Sequence, residues 1–198
     1  MEETRTDDGG SAGRAVDWNA ELLDQLEFHW EHQLRPRLDG LTDEEYFWEP
    51  VENCWSLRPA AESRTPMAVG AGTHLLDYAY PQPAPVPVTT IAWRMAHIEI
   101  AVFRKRLAGH FGGPPIDYDT AVYATTAAQA LEQLDEAYEA WRAGVRSLGE
   151  KGLAEPAGPA EGPFAHRTMA TLVLHIHRET IHHGAEISLL RDLYENRG

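Results

Sequence analysis

Apolar residues recur at helical spacing in four stretches of the chain, and the last of them organises the rest. From Thr168 to about Tyr194, Met169, Leu172, Val173, Ile176, Ile187, Leu190 and Tyr194 fall on one side at about 100° per residue, the signature of an amphipathic helix facing a core. Glu179 and His183, stacked one turn apart, interrupt that stripe, whereas His175, His182 and Glu186 fall to one flank and His177 projects away from it. A carboxylate in an apolar stripe is costly unless it is paired or binds a metal. E-x-x-x-H on the core face is therefore the feature to explain.

The other periodic stretches predict three more helices. Leu22, Leu23, Leu26, Trp30 and Leu34 form a stripe from the cap Asp17 to about Arg35, with Pro36 as its stop. A helix over about 90–110, opened by Thr89 or Thr90, is apolar on nearly all sides in its first half, which predicts a central position and places His97 in that buried half. The third begins at the Thr126/Gln129 capping pattern and runs to Leu148, with Gly149 as terminator. Thr42 and Glu45 cap a shorter turn before Pro50.

Between these elements the pattern lapses. Residues 51–88 keep no period and are rich in Pro, Ala and Gly. Trp55, His74, Leu75, Leu76, Tyr78 and Tyr80 give the stretch enough apolar mass to fold over one end of the domain. Residues 150–167 read as a Pro/Gly-rich connection, and residues 1–15 as a disordered polar tail. No strand and no repeat is evident. The expected architecture is all-α, a four-helix bundle over 16–198, and facing helices of such a bundle build metal sites in its core.

Composition narrows the partners. A formal charge of −14 over 198 residues, without a basic run, argues against nucleic acid or an anionic membrane and for a small molecule. No apolar run reaches the ~20 residues of a bilayer span, and the N-terminus lacks a signal peptide's apolar core, so a cytoplasmic location is expected. Cys54, the one cysteine, excludes an intrachain disulfide and a cysteine-based zinc site, and nothing near it marks a reactive thiol. Any metal must be held by His and carboxylates. Basic residues are nearly all Arg, with Lys105 and Lys151 the only lysines, a bias associated with high-GC genomes.

His97 from the second helix joined to Glu179 and His183 from the last would give two imidazoles and one carboxylate, the open set of catalytic zinc, equally suited to nickel, iron or cobalt. The competing account pairs Glu179 with a buried arginine and leaves both histidines as hydrogen-bonded core residues. His29, His74, His175 and His182 are further candidates for an extra ligand, an outer partner or a general base.

The phrases TTIAWRMAHIEI and HIHRETIHHGAEISLLRDLY, with GLTDEEYFWEPVENCWSLRP after the first helix, resemble the DinB-like superfamily, and within it the mycothiol-dependent maleylpyruvate isomerase-like branch. The likeness extends from about residue 17 onward. It implies an up-down-down-up bundle with a divalent metal, zinc or nickel, on His97, Glu179 and His183. It also implies a low-molecular-weight thiol co-substrate, mycothiol in actinobacterial relatives. A metal-bound thiol is deprotonated, a strong nucleophile for transfer to an electrophile. The isomerases proper carry a further C-terminal domain, whereas this chain ends four residues after Tyr194, so maleylpyruvate is not the expected substrate. The leading expectation is thus a metal-dependent thiol S-transferase acting as monomer or homodimer, with His182 or His175 moving protons. The rival readings are a hydrolase using metal-bound water and a non-catalytic metal- or ligand-binding stress protein.

Overall fold

A computed structural model describes residues 15–198, so the expected 1–15 tail lies almost wholly outside the described residues. Helix starts follow the sequence's capping signals. Asp17 accepts from the Ala20 amide ahead of α1 (Trp18–His29), and Thr42 accepts from the Glu45 amide ahead of α2 (Asp43–Tyr46). Thr90, not Thr89, caps α3 (Ile91–His97) through the Trp93 amide. Thr126 and Thr168 do the same for α5 (Ala127–Ala154) and α6 (Met169–Glu195). In each case a side-chain oxygen takes an amide that the first turn leaves without an intrahelical partner.

Two of the four rods change their winding. α1 passes through a π segment, Trp30–Leu34, into a 3-10 turn, Arg35–Leu38, where Pro36 sits in the first turn and ends the rod. The rod begun by α3 widens into a π segment, Ile98–Arg104, before finishing as α4 (Lys105–His110). That π segment buries Ile98, Glu99, Ile100, Val102 and Phe103, so the nearly all-round apolar pattern matches a central rod. Gly149 leaves helical geometry at φ 56°, after which one more turn carries the chain to Ala154.

α1 and the α3–α4 rod each pack on both α5 and α6, giving an all-α bundle. Trp141, Phe103, Tyr138 and Trp30 fill its middle, with Trp30 stacked on Tyr138 at 3.9 Å between ring centroids. Among the described residues no helix is long and apolar enough to cross a membrane.

The segment 51–88 departs from the expectation of no strand. It contains an antiparallel ribbon, β1 (Leu57–Pro59) with β2 (His74–Leu76), in the register Leu57 opposite Leu76. Three-residue strands are too short to show alternation, which is why no period is visible. The ribbon is fastened by a buried ion pair. Arg58 Nε donates to Asp77 Oδ2 at 2.9 Å, Nη1 to Glu49 Oε1 at 2.6 Å and Nη2 to the Cys54 carbonyl at 2.8 Å. Asp77 also accepts the Ser56 amide, so both charges are compensated on the spot. Cys54 is buried with its thiol donating to the Val51 carbonyl, and burial pushes its ionisation up, in keeping with a structural role.

Candidate metal centre

α3 and α6 bring His97, Glu179 and His183 together: each offers one ligand atom, all within 4.8 Å of one another. His97 is the last residue of α3, just before the helix widens, and π segments recur beside functional sites. Its ring stacks on Trp93 at 5.4 Å and meets His183 edge-on at 4.8 Å and 87°. His183 Nε2 lies 3.6 Å from Glu179 Oε2.

The outward nitrogens of both imidazoles are already engaged. His97 Nδ1 is 2.8 Å from the Tyr118 hydroxyl, and His183 Nδ1 is 2.7 Å from Glu186 Oε2. Arg94 Nη1 lies 3.1 Å from the same His183 nitrogen and 3.0 Å from Glu186 Oε2. One nitrogen cannot serve both partners. A guanidinium only donates and a carboxylate only accepts, so the consistent arrangement has Nδ1–H and Arg94 both donating to Glu186. His183 Nε2 is then the lone-pair nitrogen. For His97, the tautomer that donates Nδ1–H to Tyr118 likewise leaves Nε2 free. Burial pushes Tyr118's ionisation up, so the phenol is neutral and able to accept.

The electrostatics favour neutral ligands. Burial, reinforced by the neighbouring charges of His183 and Arg94, pushes His97 down to about 4. Burial also lowers His183 against the opposing effect of the hydrogen bond it donates to Glu186. For Glu179, burial works upward but is outweighed by the hydrogen bond from Arg178 and the charges of His175 and His183, so it stays ionised below the usual range. Deprotonated imidazoles beside an ionised carboxylate are the form in which these residues bind metal. The donor set thus fits a divalent ion, with each imidazole oriented by an outer partner as in well-built metal sites.

Other candidates sit elsewhere. His182 is exposed, with Nε2 3.6 Å from Glu186 Oε1, and with His183 and Glu186 forms a second potential ligand group. His175 is half-buried, 3.4 Å from Glu179 Oε1, and its Nδ1 accepts from Arg178 at 2.6 Å. His29 is buried against Gly184 and bonded to Gln33; His74 lies in β2 against Phe47. Neither falls in either ligand group. His177, expected to project away from the core stripe, is in fact buried, edge-on to Trp141. The core surrounds α6 more widely than a single stripe implies, because α5 packs on its second side. Glu179, conversely, is less enclosed than its place in the stripe suggests, its side chain 26% exposed.

Three contributors escaped the sequence reading: Tyr118, Arg94 and Glu186 as partners of the histidines. Tyr118 comes from the connection after α4, where no periodicity points to it. Glu186 was visible, three residues after His183 and so on the adjoining helix face. Gly184 has its own reason. A Cβ there would lie 2.9 Å from Leu34 and 3.1 Å from His29 Nε2, so its absence lets α1 approach α6 behind the site.

His97 also forms part of the wall of a cleft of about 490 Å3 with Trp55, Tyr78, Tyr80, Trp93 and Tyr118, and the 51–88 segment supplies three of those rings. A larger hollow, between the π segment and α5, lies away from these ligands.

No curated protein and no solved structure matches the chain. Residues 25–187 match the DinB superfamily, an interval that runs from α1 into α6 and contains His97, Glu179 and His183. With most of its length in that match, the chain belongs to the DinB superfamily.

Proposed function

We propose that His97, Glu179 and His183 hold one divalent ion, zinc or nickel. In this reading the protein is a cytoplasmic enzyme of the mycothiol-dependent branch, activating a low-molecular-weight thiol, mycothiol, for S-transfer to a small electrophile. The observation that carries the reading is the convergence of two outer-partnered imidazoles and one carboxylate from two helices, beside an aromatic cleft. Three protein ligands leave a position for an exogenous one. A divalent ion held by them would acidify a thiol taken in that position and so supply a thiolate at neutral pH.

The remaining work belongs to the chain's own groups. Tyr118 and Glu186 fix the two rings. Arg178 holds Glu179 Oε1 at 3.2 Å, leaving Oε2 toward His183. Trp55, Trp93 and Tyr78 form an aromatic wall beside His97 that keeps bulk water from the reacting atoms. The proton released by the thiol needs an acceptor with access to solvent. His175 suits that role best, being half-buried and in contact with a carboxylate of the ligand set; the exposed His182 stands in the same relation to Glu186. Of the two ligand groups, the one containing His97 is preferred because the other would take Glu186 away from Arg94 and His183.

The test is conjugate formation between mycothiol and 1-chloro-2,4-dinitrobenzene, with zinc-loaded, nickel-loaded and metal-stripped protein. Acceleration that needs both metal and thiol supports the reading. Consumption of the electrophile without thiol would point to a hydrolase instead, and no metal-dependent acceleration would leave S-transfer without support.

A further inference from the structure

A second hollow has as wall residues His175 and Arg178, which touch Glu179 of the ligand set, and its chemistry differs from that of the aromatic cleft. It has a volume of about 560 Å3 and lies along α6, with Arg106, Arg167, Arg178 and His175 on its walls and Leu172 and Phe164 among its apolar lining. In a chain of net charge −14, three guanidinium groups around one small hollow are out of proportion. The carboxylate they face there is Glu161, taken up by Arg106 Nε at 3.2 Å and His110 Nε2 at 2.9 Å. Arg178 leans on Glu179 and His175. Arg167 makes no ion pair among the described residues. Arg106 is thus committed to Glu161 through Nε while it lines the hollow.

On α6 the lining residues Thr171, His175 and Arg178 share one face, and Glu179 follows directly. His175 and Glu179 are separated by about 6 Å of helix rise, and both His175 and Arg178 touch Glu179. The His175 end of the hollow thus lies one helical turn from Glu179, with the arginines around it.

We infer that this hollow is an oxyanion-binding subsite, and that the small molecule reacting at the metal carries a carboxylate or phosphate seated on Arg167, Arg178 and Arg106, with its apolar body against Leu172 and Phe164. Guanidinium forks match both anions in geometry and charge. The assignment of this ligand as a substrate rests on the metal-centred reading above; the anion site itself rests only on the arginines.

The experiment is calorimetric titration of succinate and, separately, inorganic phosphate into the full-length protein, metal-free and zinc-loaded, for wild type, Arg167→Gln and Arg178→Gln. Wild type is expected to bind at least one of the two at millimolar concentration or below in both metal states. Arg167→Gln should weaken binding about tenfold, the equivalent of one charge-assisted hydrogen bond, with zinc stoichiometry unchanged. Preference for succinate assigns a carboxylate, and preference for phosphate a phosphoryl group. Arginine-dependent binding by a protein that holds no zinc would support the subsite while removing the metal-centred reading. No binding of either anion, or binding that needs zinc and ignores Arg167→Gln and Arg178→Gln, would overturn the inference.

Discussion

His183 and His177 lie six residues apart on α6, both buried and both held below the usual imidazole range, yet their surroundings differ in kind. His177 faces the Trp141 edge, has no carboxylate in contact, and leaves Nε2 without a partner. Burial alone drives it down to about 4. His183 is backed by Glu186 on one nitrogen and turns the other toward Glu179 and His97. Burial by itself makes a neutral histidine; a ligand needs a second element to supply converging donors and an outer partner to fix the tautomer.

That contrast is open to attack from both ends. The largest expected effect is at the ligand set: Glu179→Ala, His183→Ala or His97→Ala should each abolish stoichiometric metal, read by elemental mass spectrometry on the purified protein, whereas His177→Ala keeps it. A variant at His177 that lost metal as completely would erase the distinction.

The next effect reverses the roles. Emptying the His177 site leaves a cavity in the core and should lower unfolding free energy by roughly 2–4 kcal/mol, measured by denaturant titration of metal-free protein. His183→Ala, beside the partly exposed Glu179, should cost less.

Acid sharpens the same comparison. His177 titrates near 4 when folded, against about 6.5 when unfolded, so below pH ~6.5 the unfolded chain binds the extra proton. Stability from this group is therefore complete above about pH 6.5 and falls as pH drops toward 4, by up to about 3 kcal/mol. Denaturation curves of metal-free wild type at about pH 7 and about pH 4.5 should show most of that loss. His177→Leu should remove this part of the slope; an unchanged slope would mean the histidine is not held neutral.

Smaller changes probe the outer partners. Glu186→Gln keeps the shape but removes the charge behind His183 and should weaken metal binding about 10- to 100-fold. Tyr118→Phe removes one neutral hydrogen bond to His97 and should cost about 1 kcal/mol of metal affinity. Competition with a chromogenic chelator reads both, and unchanged affinity in both variants would show that the two rings are oriented by something other than these partners.

Much of this molecule is local and therefore written in local order. Apolar spacing and capping residues marked all four rods, since a helix start needs only a side-chain oxygen three residues from an orphan amide. Glu179 and His183 stood out because four residues is one helical turn. The 51–88 ribbon did not stand out, because its order comes from Arg58 meeting Asp77 across 19 residues. His177 was misplaced for a related reason: one apolar stripe describes a helix with one neighbour, and α6 packs against more than one.

By itself, then, the sequence determined an all-α chain, its helix starts, and a carboxylate and an imidazole one turn apart on its last helix. Only the tertiary structure decided that His97 meets them, that Tyr118 and Glu186 take the outward nitrogens, and that an aromatic cleft takes His97 into its wall. The physical reason is range. Periodicity and capping act within a turn or two of the chain, whereas a site is a coincidence of side chains from distant segments, fixed only when the rods pack.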